Sequence, residues 1–319
     1  MNGIAFLTWS PHRRTTGLAA ALGIELVELL SERRGAARYW ELLTRTLGLL
    51  RARPFRVIVA QNPSLVLAAL LALMRPLARY RLVIDAHNEA VTPYVHDVAW
   101  VRAVSRWLLR RASLTIVTNE ELAARVRLGR GRPFVLPDPL PAAPPGLPAE
   151  TAQPPYVVVV CTFAPDEPLR EIFAAAQALP QVHFKVTGNA RRCAPELLAS
   201  RPANVELTGF LDEHSYWVQL AASQAVLDLT GMPDCLVCGA YEALAVGVPM
   251  ILTDNPAGRR LFGQVALFTD TTSAGIAAAI EASLLKPRNR AAALRYSAEW
   301  HAQMLQLRSA LAALAPPLH

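Results

Sequence analysis

The segment DCLVCGAYEALAVGVPMILTD, residues 234–254, contains two carboxylates, Asp234 and Glu242. A short helix is predicted between Gly239 and Gly247, because glycine and a following proline are typical of helix boundaries. A helix N-terminus offers N–H groups and positive dipole charge, which suit a phosphate. With Glu242 in the first turn and Asp234 on the preceding loop, the segment is suited to a nucleotide-sugar. In the alternative interpretation, Glu242 only stabilises the helix end.

The same segment contains Cys235-x-x-Cys238, the spacing of a metal clip or a redox pair. A structural zinc site needs four ligands, and no second Cys-x-x-Cys or His-x-x-x-His pair completes one. A thioredoxin-like pair would follow the first strand of a small domain, which is not its setting here. The sequence therefore favours two small, packed cysteines, and it predicts neither a metal site nor a cofactor.

Apolar runs alternate with helical patterns along the chain, which implies parallel sheets covered on both faces. A stretch with eight prolines at 136–155 is predicted to be a stiff linker, because proline fits neither a helix nor a central strand. The sequence thus predicts an α/β fold with two doubly wound domains, 1–135 and 156–287, facing a cleft. A terminal helix over 288–319 is expected to pack back across it. The predicted strands are residues 3–9, 56–61, 81–86, 113–119, 156–161, 183–188, 204–211, 225–230, 249–254 and 266–270.

Ligands of doubly wound sheets lie outside the carboxyl ends of the strands. No Gly-x-Gly-x-x-Gly and no P-loop pattern occurs there, which disfavours dinucleotide dehydrogenases and P-loop enzymes. The loop SPHRRTTG instead brings two arginines, a histidine and two hydroxyls, and is either a phosphate cradle or a solvated loop. His87 is either a functional or a structural histidine. The residues of interest at these strand ends are Arg13, Arg14, Asp85, His87, Gly188 and Arg191.

The chain has 319 residues, 53% of them hydrophobic, and a net charge of +7 that is concentrated as arginine in residues 1–150. Such a balance predicts an anionic partner, either phosphates or an acidic membrane surface, unless it reflects solvated helix faces alone. Nucleic acid is disfavoured, because no recognition module is present. Four cysteines form no disulfide framework, and no signal peptide or spanning segment is predicted. We therefore expect a cytoplasmic protein, peripheral at most on the inner face of the membrane.

The segment 234–254 resembles the donor-site motif of GT-B glycosyltransferases, in particular family four, whose pattern is E-x7-E followed by A-[LM]-A-x-G-x-P. Here it is Asp234-x7-Glu242 with ALAVGVP. Other stretches agree in order: RWLLRRASLTIVTNEELAARV, KVTGNA, ELTGFLDEHSYWVQLAASQAVL and a late Trp300. The resemblance implies two Rossmann-like domains facing a cleft, with the acceptor on the N-terminal side and the nucleotide-sugar on the C-terminal side.

Three motifs, AQNPSL, VIDAHNE and FAPDEPL, are also similar to those of dolichol-linked β-mannosyltransferases, an inverting group. The acidic pair at 234 and 242 favours retention instead, so the stereochemistry stays open. The family resemblance implies that Glu242 binds the donor ribose, that Asp234 contacts the transferred sugar and that His87 lies near the reacting centre. Asp85 would be a general base if the enzyme inverts, or it caps the next turn.

One departure from the family concerns charge. Many members carry an arginine and a lysine that neutralise the leaving diphosphate, whereas Thr162 and Glu167 stand at the matching positions here. Transfer requires stabilisation of that charge. The expected substitutes are the helix start near Gly239, the cation Arg191 with its neighbour, and the pair Arg13 and Arg14.

The sequence therefore predicts a glycosyltransferase that moves a sugar from a nucleoside-diphosphate donor to a polysaccharide or lipid-linked glycan precursor at the cytosolic membrane face. Two arginine-rich helices with Trp40, Trp100 and Trp107 are expected either to contact the membrane or to pack on their sheet. The alternative function is a non-catalytic GT-B partner protein that binds a nucleotide-sugar. A sugar-nucleotide epimerase would need a fuller acid and base set.

Overall fold

The computed structural model describes residues 3–62, 64–91 and 98–315. The chain divides into two units. The first extends from the start of the chain to Asp138 and includes the last helix from Trp300 onward, and the second is Pro139–Glu299.

The first unit contains a parallel sheet of six strands within the described residues, in the order β2-β1-β3-β4-β5-β6. Its central strands are largely apolar and buried, because helices cover both faces of the sheet. Its elements are β1 (Ile4–Thr8), α1 (Arg13–Leu22), β2 (Glu25–Glu28), α2 (Gly35–Ala52), β3 (Val57–Asn62), α3 (Leu65–Ala78), β4 (Arg81–Ala86), α4 (Asn88–Val91), α5 (Ala99–Arg111), β5 (Leu114–Val117), α6 (Glu120–Leu128) and β6 (Pro133–Val135).

The second unit contains a second parallel sheet, in the order β12-β11-β10-β7-β8-β9. Strand order reverses beside β7 and β10, so the loops after these strands lie together at one edge. Its elements are β7 (Tyr156–Val159), α7 (Leu169–Ala178), β8 (His183–Thr187), a 3-10 turn (Ala190–Arg192), α8 (Pro195–Ala199), β9 (Val205–Gly209), α9 (Glu213–Ala222), β10 (Ala225–Asp228), α10 (Cys238–Val246), β11 (Met250–Thr253), α11 (Pro256–Phe262), β12 (Ala266–Thr269) and α12 (Ser273–Leu284). The last helix, α13 (Arg290–Leu314), begins in this unit and belongs to the first unit from Trp300 onward.

The prediction of two doubly wound parallel α/β sheets is confirmed, and each predicted strand is present. Two edge strands were not predicted. β2 has glutamates at both ends and is only half-buried, and β6 is a half-buried three-residue strand that begins with proline. Edge strands lack a continuous apolar run because part of each is open to solvent.

The first residues of the predicted linker are fixed within the first unit. Leu136 is buried, and the carbonyl oxygen of Pro137 accepts a hydrogen bond of 2.9 Å from the indole of Trp300 on α13. Within the described ranges, no helix is both long enough and apolar enough to cross a membrane.

Candidate functional site

The start of α10 is held by a buried carboxyl group. Asp228, the last residue of β10, accepts a hydrogen bond of 2.8 Å from the backbone N–H of Gly239. A Cβ at position 239 would lie only 2.6 Å from Oδ2 of Asp228, so only glycine permits this approach. The predicted phosphate position at this helix end is therefore already in contact with an acidic side chain of the same chain.

The state of Asp228 follows from its surroundings. Burial raises the pKa of its carboxyl group to about 8, although the bond from Gly239 opposes this, and nearby Glu242, Glu167 and Asp166 raise it further. Because this value lies above neutral pH, most Asp228 carboxyl groups are protonated at pH 7. The group then adds no full negative charge beside a donor phosphate.

Glu242 lies in the second turn of α10, not in the first. The helix begins at Cys238, one residue before Gly239, and has no acidic residue in its first turn. The predicted first-turn position of Glu242 is thus wrong, because the helix begins one residue earlier than expected. Its carboxylate is half-buried and accepts a hydrogen bond of 2.5 Å from the hydroxyl of Tyr216 on α9. Tyr216 therefore fixes the orientation of this carboxylate.

Asp234 lies on the loop between β10 and α10. It is buried and has a φ of 56°, in the left-handed region that aspartate tolerates better than most residues. The same loop is tied to the loop after β7, since the hydroxyl of Thr230 and the N–H of Gly231 both bond to Asp166. The two loops thus form one hydrogen-bonded surface.

The loop after β7 is organised by Glu167. Its carboxylate accepts hydrogen bonds from the N–H of Thr162 at 2.9 Å, the hydroxyl of Thr162 at 2.8 Å and the N–H of Ala164 at 3.0 Å. It also accepts one from the thiol of Cys161 at 3.1 Å. Glu167, at a position where the family resemblance implies a cation, therefore binds the amides of its own loop.

Gly188 ends β8 beside this loop. It has a φ of 97°, and a Cβ there would lie 2.0 Å from the carbonyl oxygen of Cys161. After it, Arg191 and Arg192 lie in the 3-10 turn and are exposed. Gly188 is therefore a requirement of backbone packing, and the arginines after it are cations open to solvent at this edge.

In the first unit, Asp85 at the end of β4 is fully buried and paired with Arg14. Nε of Arg14 lies 3.1 Å from Oδ1 of Asp85, its NH1 bonds Asp138, and its NH2 donates to the carbonyl oxygen of Leu136 at 3.1 Å. Burial opposes the charge of Arg14, but Asp85 and Asp138 outweigh it and raise the pKa of the guanidinium. Arg14 thus occupies a different position from Arg13, which is exposed beside Pro11 and His12.

His87 lies beside this ion pair. Its Nε2 is 4.0 Å from Oδ2 of Asp85 and is buried without a hydrogen-bond partner among the described residues. The ring of His12 meets it edge-on at 4.8 Å between centroids. Burial lowers the pKa of His87, with Arg14 and His12 adding to the effect and with Asp85 and Asp138 opposing it. A neutral imidazole near pH 7 follows, which can accept a proton.

The four cysteines lie among the described residues, and none is in a disulfide. Burial raises the pKa of Cys235 to about 12, which disfavours the thiolate that metal binding or redox exchange requires. No group of three or more histidine, cysteine or acidic residues in the described part of the chain can hold a metal ion.

Sequence reasoning missed four polar residues that these contacts depend on: Arg14 as a buried ion pair, Asp138, Tyr216 and Asp228. Asp228 could have been identified from the sequence, since it is an acidic residue at the end of an otherwise apolar strand. Asp138 lies in the proline-rich stretch and Tyr216 in an ordinary amphipathic helix. Neither has a local pattern that identifies its partner.

Two family descriptions match the sequence: "Glycosyl transferase 4-like domain" over residues 5–143 and "Glycosyl transferase-like" over residues 167–308. Together they cover most of both units. The chain belongs to the GT4-like glycosyltransferases. It is accordingly an enzyme that uses a nucleotide-sugar donor. No curated protein matches this glycosyltransferase in sequence.

Several solved structures share the fold of this chain. Sucrose-phosphate synthase (tll1590) from Thermosynechococcus elongatus has 16% identity and a TM-score of 0.69, over 95% of this chain and 94% of that one. Anabaena Alr3699/HepE in complex with UDP and glucose has 17% identity and a TM-score of 0.69, over 97% of this chain and 98% of that one. The apo form of the lipopolysaccharide outer core galactosyltransferase WaaB has 10% identity and a TM-score of 0.66, over 96% of this chain and 98% of that one. At these identities the likeness establishes the GT-B-like fold alone.

Proposed function

We propose that this glycosyltransferase transfers a sugar from a nucleoside-diphosphate donor to a hydroxyl of a polysaccharide or lipid-linked glycan precursor. The observation that carries the proposal is Glu242, a half-buried carboxylate in the second turn of α10 that Tyr216 orients. A fixed carboxylate accepts hydrogen bonds from vicinal hydroxyls, as a ribose requires. Because HepE was solved with UDP, UDP is the first nucleotide to test.

The other donor contacts follow from which N–H groups and cations are not already bonded to acidic side chains of this unit. Glu167 and Asp228 occupy backbone N–H groups that a phosphate would otherwise use. We therefore assign the diphosphate to the exposed cations Arg191 and Arg192, and the sugar ring to Asp234. Gly188 allows the backbone at this edge to approach a ligand closely.

In the transfer step, an oxygen of the acceptor forms a bond to the anomeric carbon of the donor sugar. The bond from that carbon to the phosphate oxygen breaks, and the nucleoside diphosphate leaves with the electron pair. The acceptor proton passes to a base, for which we propose His87, because its neutral Nε2 has no other partner among the described residues. Asp85 is fully buried and bonded to Arg14, so it acts on His87 and not directly on the acceptor.

A lipid-linked acceptor would bring the first unit to a membrane surface. α3 packs between α2 and α5. The apolar sides of α2 and α5 pack on the sheet through Leu42, Leu50 and Leu108, yet Trp40 and Trp100 stay about two-thirds exposed, at 68% and 66%. α3 adds the exposed Leu73 and Leu77, and several arginines flank these helices. We name Trp40, Leu73, Leu77 and Trp100 the apolar patch and propose that it contacts anionic lipid.

The donor assignment is tested by thermal unfolding with UDP, GDP, ADP, CDP and their sugar conjugates. A ligand present at about 100 times its Kd adds roughly 2.7 kcal/mol of stability. We expect one nucleotide to stabilise the wild type and to lose that effect in Glu242→Ala. The control is Glu281→Ala, which removes an exposed carboxylate of α12 in the same unit and should respond like the wild type.

Donor turnover then separates the two functions of the sequence analysis. Loss of turnover in His87→Ala with retained nucleotide binding would support the proposed chemistry. Nucleotide binding without turnover in the wild type would support the non-catalytic partner protein. If neither nucleotides nor sugar conjugates stabilised the chain, the assigned donor site would be wrong.

A further inference from the structure

Arg14 connects two carboxylates that are far apart in sequence. Its Nε bonds Asp85, which is fully buried, and its NH1 bonds Asp138, whose side chain is 34% exposed. The remaining nitrogen donates to the carbonyl oxygen of Leu136. One guanidinium is therefore shared between the candidate catalytic centre and the segment at which the first unit ends.

This sharing has an electrostatic consequence for His87. Arg14 bonds both carboxylates, so its positive charge is offset by Asp138 as well as by Asp85. Asp138 thus leaves part of the charge of Asp85 available to a protonated imidazole 4.0 Å away. Because these groups are mostly buried, water screens their interaction only weakly.

We propose that Asp138 is a positioning residue for the Asp85–His87 pair. By sharing the Arg14 guanidinium, it sets how strongly Asp85 is neutralised and hence how readily His87 takes up a proton during transfer. The inference rests on the proposed role of His87 as the base. It goes beyond that role because Asp138 acts on His87 through its bond to Arg14.

The groups that act on His87 support this direction. Asp85 and Asp138 raise its pKa, while burial, Arg14 and His12 lower it. Removing the charge of Asp138 would lower the pKa of His87 in two ways. One favourable charge is lost, and Arg14 is left to Asp85 alone.

The test is the NMR titration of the His87 imidazole in wild type and Asp138→Asn, which requires no activity. We expect the midpoint to move to lower pH in the variant, and the acid limb of the kcat/KM profile with donor and acceptor to move with it. Asp138→Glu keeps the charge and should restore the midpoint. If Asp138→Asn does not fold, Asp138→Ser removes the same charge from a partly exposed position.

The matched control is Trp300→Phe. It removes the bond to Pro137 that holds the same segment, but it changes no charge. An unchanged midpoint in Asp138→Asn, or an equal shift in Trp300→Phe, would overturn the proposal. A shift in the NMR titration without one in the rate profile would uphold the linkage to Asp138 and overturn the role of His87 as the base.

Discussion

Two carboxyl groups near the start of α10 have different surroundings. Asp228 is buried, and the hydrogen bond from the N–H of Gly239 does not offset the loss of water, so its pKa rises to about 8. Glu242 is half-buried and accepts the hydroxyl of Tyr216, which burial and this nearby carboxylate keep protonated by raising the pKa of the phenol. Side chains of the same chemistry therefore take different roles at this scale.

Asp228 makes stability depend on pH. Its folded pKa of about 8 lies above its ordinary 3.8, so its contribution is complete below about pH 4 and is lost as pH rises through 8. Asp228→Asn resembles the protonated form and removes this loss. We expect the variant to gain stability relative to wild type between pH 5 and 9, by on the order of 2 kcal/mol, in urea unfolding.

Asp212→Asn is the control for this experiment. Asp212 caps α9 at the surface, where hydrogen bonds from Ser215 lower its pKa, so its effect lies on the acid side. A parallel pH dependence of Asp228→Asn and wild type between pH 5 and 9 would contradict the raised pKa.

At the scale of elements, the loops after β7, β8 and β10 support one another. Glu167 gathers the amides of the first, Asp166 ties it to Gly231 in the third, and Gly188 of the second lies against the carbonyl oxygen of Cys161. Neighbouring parallel strands end at the same edge of the sheet, so the loops that follow them pack against one another. A change in one loop is expected to displace the donor contacts of the others.

Gly188→Ala tests this packing. The new Cβ would lie 2.0 Å from the carbonyl oxygen of Cys161 in a residue with a φ of 97°, so both sterics and backbone strain oppose it. We expect a loss of about 3 kcal/mol in unfolding free energy, together with weaker nucleotide binding.

Gly48→Ala provides the contrast. Gly48 lies within α2, and no described atom approaches its Cβ position within 4 Å. Alanine there should stabilise the chain by about 1 kcal/mol, because it favours the helix. Equal effects of the two substitutions would show that the three loops do not depend on the contact at Gly188.

At the scale of the whole molecule, the positive charge and the exposed tryptophans Trp40 and Trp100 occur in the same half of the chain. The arginine excess lies in residues 1–150, and so does the apolar patch on α2, α3 and α5. Contact with anionic lipid uses both, since arginine is attracted to the head groups while tryptophan and leucine enter the interface.

Vesicle flotation tests this association. We expect the wild type to float with vesicles containing about 30% anionic lipid, less so at high salt, and weakly with neutral vesicles. The variant Trp40→Ala, Leu77→Ala, Trp100→Ala should lose most of the binding. The control variant removes two exposed leucines of the second unit, Leu285 and Leu294, and should float like the wild type. Equal loss in both variants would refute a specific patch.

The sequence by itself determined the two parallel sheets, because buried strands need continuous apolar runs, and it marked Asp85, Gly188, Asp234 and Glu242 at strand ends or helix starts. These are local properties, set by periodicity and by the backbone. Their roles toward a donor or acceptor remain predictions. The register of Glu242 within α10 was missed, because a glycine marks a helix start only to within a residue or two.

Only the tertiary structure decided which charges meet. Arg14 was expected to face a phosphate, yet it is buried against Asp85, 71 positions away, and against Asp138. Glu167 had no expected partner and binds the amides of its own loop. Such pairings depend on which side chains burial excludes from water. Burial is a property of the packed sheets and helices together, so no local pattern of residues reports it.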